Sequence, residues 1–175
     1  SVDDATLRGL LECIERDAFM IAHLKRLPLP RVSHPRIARL QERIRARGRS
    51  LHVFELPNDF GVSTHLALQI DPTGEGPAVC AGLKAGLDPV ESALGAALES
   101  QGVRHYLKRL LRSQAPAPVR RRSQVFDEAT RAAFWRPPES RRHLDYLLRG
   151  AMTKIPDARA PPNGAVLDYR FARAI

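Results

Sequence analysis

The hydrophobic period of this 175-residue chain changes twice, and that change narrows the folds open to it more than any other feature. Leu7, Leu11, Ile14, Ala18 and Ile21 recur at intervals of three and four, the spacing of an amphipathic helix. They predict one helix over residues 2–27 that stops at Pro28 and Pro30. A second helix is expected from Pro35 to Gly48, rich in charge and poor in apolar positions, and therefore on the surface. LHVFEL (51–56) and THLALQI (64–70) are instead short, aliphatic and β-branched, and they flank the turn-forming PNDFG, so they read as strands. PAVCAGLKA (77–85) reads as a third strand after the turn DPTGEG. From Asp88, a natural N-cap, the helical period returns through DPVESALGAALESQGVRHYLKRLLRSQ. Helix, sheet and helix in this order predict an α+β fold: long amphipathic helices packed on a small, mainly antiparallel sheet.

The length suits one domain. Within it the sequence divides into a core over 1–114, a linker over 115–123 (APAPVRRRS) and a helical C-terminal part over 124–175. Two prolines and three arginines make that linker a poor packing surface. Short helices are expected around 127–135 and 139–149, with loop over 151–165. Ser1 has no Met before it and LDYRFARAI ends without a cap, so the chain is expected to be a piece of a longer protein.

Lys and Arg number 28 against 19 Asp and Glu, a net charge of +9 that favours anionic partners without selecting one. Cys13 and Cys80 have no CxxC partners, so neither a zinc site nor a disulfide framework is suggested, and a cytoplasmic location is expected. No apolar run approaches the roughly 20 residues that cross a bilayer. A membrane partner is not expected.

Two helices carry the candidate chemistry. On the first, Leu7, Leu10, Leu11, Ile14, Ala18 and Ile21 define an expected buried stripe, and Asp4, Arg8, Glu12, Glu15 and Arg16 line the flank beside it. Glu12 and Glu15 are three residues apart and project to one side, as a pair of hard oxygen ligands for Mg²⁺ would. The same residues also fit a solvated ladder of i, i+4 pairs, Arg8 to Glu12 and Glu12 to Arg16, and spacing alone does not separate the two. On the later helix Gln101, Arg104 and Lys108 follow a run of small residues, and they suit either a phosphate group or simple complementarity to the helix C-terminus.

ATLRGLLECIERDAFMIAHLKRLPLP and GLKAGLDPVESALGAALESQGVRHYL together resemble the two signature helices of the YcaO superfamily, A-x-x-x-G-L-x-E-x-x-E-R-D-A and A-L-x-E-x-x-Q-x-R, in the family's order. The resemblance covers roughly residues 1–150, and within the family ERDAFMIAHLKRLPLP looks closest to the azoline-forming branch. It implies ATP- and Mg²⁺-dependent activation of a peptide backbone amide: a nucleophile attacks, the amide oxygen is phosphorylated and phosphate leaves. The products would be azolines from Cys, Ser or Thr of a ribosomally made precursor peptide, with thioamide formation as the alternative.

Carried over by position, Glu12 and Glu15 match the carboxylates for Mg²⁺ and ATP, Arg16 the arginine after them, and Arg104 the phosphate-contacting arginine. Asp4 stands where the family usually has Glu. Gln101 stands one place before the family glutamine, a place held here by Gly102. The expected partners are the precursor peptide, a leader-peptide-binding partner protein and a second copy of the chain. The family's Asn-containing segment and its earlier glutamate-bearing helix are missing from the sequence, so weak or no turnover is expected of this chain in isolation. Two other classes stay open: a nucleic-acid-binding module using Arg120, Arg121 and Arg122, disfavoured because no aromatics are interleaved with them, and a non-catalytic peptide-binding module.

Overall fold

The computed structural model describes residues 2–155, and they form the α+β arrangement the periodicity predicts. Four helices, α1 (Val2–Leu24), α2 (Pro35–Arg45), α3 (Pro89–Gln114) and α4 (Glu128–Phe134), pack with three short 3₁₀ helices about a five-stranded sheet. The strands are β1 (Arg31–Ser33), β2 (Ser50–Glu55), β3 (Ser63–Ile70), β4 (Val79–Gly86) and β5 (Met152–Lys154), in the spatial order β4-β3-β2-β1-β5. Every pairing is antiparallel except that of β1 with β5.

Alternation along the strands sends side chains to two cores. Phe54 of β2, Leu56 just after it, Leu66 and Leu68 of β3 and Val79 of β4 pack beneath Ala18 and Ala22 of α1 and beneath Leu144, Tyr146 and Leu147. On the opposite face Leu51, Val53 and Ala67 meet Ile37 and Ile44 of α2 and Val90, Ala93, Ala96 and Ala97 of α3. The alanine stripe brings α3 close to the sheet, and Gly82 of β4 completes the fit. A Cβ there would collide with the carbonyl oxygen of Ala96 and the amide nitrogen of Ser100. Asp88 caps α3 through hydrogen bonds from Val90 N–H and Glu91 N–H, both 2.8 Å, with Pro89 at the first helical position.

Several sequence-based expectations are corrected. The first helix ends at Leu24, three residues short, because the turn through Arg26 closes it before the prolines. The second ends at Arg45 rather than Gly48. Leu10 and Ile21 of the expected stripe are each 42% exposed, while Ile14, Ala18 and Ala22 are buried: α1 is rolled onto its small residues, which permit the closer approach. Cys13, which the helical wheel sets between Glu12 and Ile14 at the margin of the stripe, is exposed. Of the expected loop over 151–165, residues 152–154 form β5 against β1, a pairing that no local pattern in three residues discloses; the part beyond residue 155 lies outside the described residues. The expected helix over 139–149 is two 3₁₀ segments, Pro138–Leu144 and Leu147–Arg149. Within the proline- and arginine-rich stretch, Val119 is buried against Leu111, Ala132 and Phe134. No helix among the described residues is long and apolar enough to cross a membrane.

Candidate functional site

The flank of α1 that carries the acidic residues runs beside β4, whose outer edge has no neighbouring strand among the described residues. Glu12 and Arg16 form one rung of the expected ladder, Arg16 Nε and Nη2 donating to Glu12 Oε1 at 3.0 and 2.6 Å. Both side chains are mostly solvated, so the pair contributes little to stability. Glu15 turns the other way. Its Oε2 accepts a 3.0 Å hydrogen bond from the backbone N–H of Ala85, on the open edge of β4.

Two residues earlier along that edge, the Leu83 amide faces Glu99, which comes from α3, and favours the charged form of its carboxyl. Outward-facing amides recur every second residue on an edge strand, so β4 offers adjacent donors to one glutamate from each long helix. Partial burial, followed by the charge of Glu15, raises the carboxyl pKa of Glu99 above its ordinary value, and the Leu83 amide, Lys84 and Arg16 only partly offset this. Glu15 and Glu99 are therefore close enough to repel.

That repulsion makes the arrangement suitable for a divalent cation. Mg²⁺ carried on a nucleotide takes one or two protein carboxylates and fills its remaining positions with phosphate oxygens and water. Glu15 and Glu99 supply such a pair, and Glu12 lies one turn away on α1. No group of three or more His, Cys, Asp or Glu side chains among the described residues is placed to enclose a metal ion. The donor set thus fits a metal that brings ligands of its own.

Arg104 occupies a different place. Five residues beyond Glu99, about 7.5 Å along the helix axis, it points into the sheet and is 7% exposed. Its Nη2 pairs with Asp71 Oδ2 at the end of β3, while Asp71 Oδ1 accepts from Thr73 N–H at 2.9 Å and from Thr73 Oγ1 at 2.5 Å. Burial opposes ionisation of Asp71, but the Thr73 bonds and Arg104 together outweigh it and hold the carboxyl below the usual carboxylate range. Gly76 in the following turn lies against the same guanidinium, and Lys108 reaches Glu75 at 3.4 Å.

Of the expected pair, Glu12 is thus committed to Arg16 and Glu15 to the edge of β4, and Arg104 is turned away from both toward Asp71. Gln101 is half-buried and its side chain makes no hydrogen bond among the described residues, and Gly102 opens to solvent. Asp4 is exposed two turns before Glu12 on α1. Sequence reasoning did not select Glu99 as a site residue, although it occupies the glutamate of the second signature pattern. That match was its only signal, because the meeting with Glu15 depends on strand order.

A family model described as YcaO cyclodehydratase, ATP- and Mg²⁺-binding, matches residues 1–169. No curated protein matches the sequence. Among solved structures, the chain is similar to the E. coli microcin synthetase McbBCD complex with pro-MccB17 bound, with a TM-score of 0.72 and 15% identity over 98% of this chain and 45% of that one. It is similar to a heterocyclase in complex with substrate and cofactor, at TM-score 0.66 and 24% identity over 87% of this chain and 20% of the other. It also resembles the YcaO of Methanopyrus kandleri bound with AMPPCP and Mg²⁺, at TM-score 0.61 and 22% identity over 89% of this chain and 39% of that one. The chain thus spans less than half the length of each of these three, and at such identities the likeness establishes the fold. With the family model covering nearly the whole sequence, the chain belongs to the YcaO family.

Proposed function

We propose that this chain contributes carboxylates and an arginine to an ATP- and Mg²⁺-dependent cyclodehydratase that converts Cys, Ser or Thr of a ribosomally made precursor peptide into azolines. The observation that carries the reading is the convergence of Glu15 and Glu99, from two separate helices, on neighbouring amides of β4, with Glu12 and Arg16 beside them. When bound, Mg²⁺ would neutralise nucleotide phosphate charge and polarise the phosphoryl group that is transferred. In the reaction proposed, the thiol or hydroxyl of the substrate side chain attacks the carbonyl carbon of the preceding amide and gives up its proton to solvent, and the resulting oxyanion takes the γ-phosphoryl group. ADP departs, and loss of phosphate together with the amide proton leaves a C=N bond.

The protein's own residues orient and balance charge. Ala85 N–H fixes one oxygen of Glu15 and the Leu83 amide favours the charged form of Glu99, leaving the remaining lone pairs for a cation. Arg16 lies within electrostatic reach of both carboxylates. Arg104, held by Asp71, stands further along α3 as the residue for a phosphate oxygen. Gln101 and Asp4 flank this run of groups as further nucleotide contacts. A precursor peptide and a leader-peptide-binding partner complete the proposed assembly, along with a second copy of the chain, and the two free cysteines suit a reducing cytoplasm.

Calorimetric titration with a non-hydrolysable ATP analogue, with and without Mg²⁺, tests the reading. Binding is expected to require Mg²⁺ and to weaken about tenfold or more in Glu15→Gln and in Glu99→Gln, each of which removes one charged ligand. Equal affinity in both variants and the parent chain would refute it.

A further inference from the structure

Helix α1 ends in a turn in which Leu27 N–H reaches Ala22 O at 3.0 Å and Arg26 N–H reaches His23 O at 3.2 Å. Glycine is the usual residue at the bend of such a turn, because the backbone there is left-handed. Here the bend is Arg26, at φ +52°. Conformations of this kind persist where other contacts hold them, and they collect at binding sites. The guanidinium of Arg26 lies 4.9 Å from the centre of the Tyr146 ring, and the Tyr146 hydroxyl is 2.9 Å from His23 Nδ1.

Two further arginines act on the same spot. Arg122, from the 3₁₀ turn Arg122–Gln124, acts electrostatically on His23, His143 and Tyr146, and Arg142 acts on His143. Aromatic stacking fixes both imidazoles: His23 lies on Phe19 with centroids 5.6 Å apart, and His143 lies on Phe134 at 5.4 Å and edge-on to Trp135 at 6.1 Å. Among the described residues, no carboxylate forms an ion pair with Arg26, Arg122 or Arg142.

We propose that Arg26, Arg122 and Arg142, with His23, His143 and Tyr146, form a binding site for a phosphate-type dianion. Guanidinium groups match phosphate oxygens with paired donors, and neutral imidazoles and a phenol can supply further hydrogen bonds. A dianion answers the uncompensated charge of three guanidinium groups better than a single carboxylate does. His23 lies about 12 Å along α1 from Glu15, eight residues on. Neither the glutamates of the β4 edge nor Arg104 takes part.

The imidazole resonances of His23 and His143 report occupancy. Titrated with sodium phosphate at constant ionic strength, against sodium chloride, they are expected to shift saturably, and their protonation is expected to move to higher pH. Arg26→Gly suits the left-handed turn, so the thermal midpoint should hold or rise while phosphate binding weakens about tenfold to a hundredfold. Arg122→Gln should weaken binding similarly, and Arg39→Gln, on the exposed side of α2, should leave it unchanged. AMP binding more tightly than phosphate would support the site and name a nucleotide as its source; equal binding would support it with free phosphate as the source. The proposal is overturned by the absence of saturation, by unchanged affinity in Arg26→Gly and Arg122→Gln, or by a polyglutamate peptide binding more tightly than phosphate.

Discussion

Replacing Asp71 by Asn should cost a large part of the stability of this chain. The side chain of Asp71 is 1% exposed and that of Arg104 8%. Asn would still accept the Thr73 bonds through Oδ1, but its NH₂ group would then face Arg104 Nη2, setting donor against donor and leaving a buried cation without its counter-ion. Arg104 Nε has no hydrogen-bond partner among the described residues, so the guanidinium is already short of one bond. Removing one member of a buried ion pair typically costs about 3–5 kcal/mol. With a denaturant slope of about 2 kcal/mol per molar urea, the unfolding midpoint should fall by about 1.5–2.5 M. Urea unfolding followed by circular dichroism measures this directly. The combined change Asp71→Leu with Arg104→Met removes both charges and should recover most of the loss. A midpoint shift below about 0.3 M for Asp71→Asn, or a combined variant weaker than Asp71→Asn alone, would refute the reasoning, since by the same slope 0.3 M is worth only about 0.6 kcal/mol.

Two further outcomes follow from partly buried histidines and a buried cysteine. Burial first, and neighbouring arginines second, lower the imidazole pKa values of His23, His52 and His143 below the ordinary 6.5. Around pH 6 the folded chain therefore binds fewer protons than the unfolded one, so stability should be intact above about pH 6.5 and decline as pH falls toward 5; thermal midpoints across that range check it, and His52→Gln should flatten the slope. Burial pushes the Cys80 thiol up to about 12, partly offset by Arg104, while Cys13 is exposed. Iodoacetamide at pH 8 should therefore add one label to the native chain, at Cys13, and two after unfolding, as read by peptide mass spectrometry.

The sequence made the long elements legible because each carries its own period. The capping of α3 by Asp88 and the strands about residues 51–56, 64–70 and 77–85 needed only local information, and the structure places them within one or two residues. What escaped was non-local. Strands β1 and β5 have three residues each and pair with one another across 121 residues of sequence. The roll of α1 onto Ala18 and Ala22 reflects close contact with a sheet surface that no helical wheel contains. The candidate site divides in the same way. Glu12, Glu15 and Arg16 share one stretch of helix and were readable together, whereas Glu99 joins them through the edge of β4. The tie of Arg104 to Asp71 crosses 33 residues and links α3 to the end of β3.

An edge strand of eight residues is an invitation to foreign backbone, since its outward amides wait for carbonyls. In β4, the terminal strand of the sheet among the described residues, the Ala85 amide is instead met by a side-chain oxygen of Glu15, which takes the place of a neighbouring strand's carbonyl, and the Leu83 amide faces Glu99. A ligand that draws Glu15 away would free the Ala85 amide, so that carboxylate serves the margin of the sheet and the acidic cluster at once.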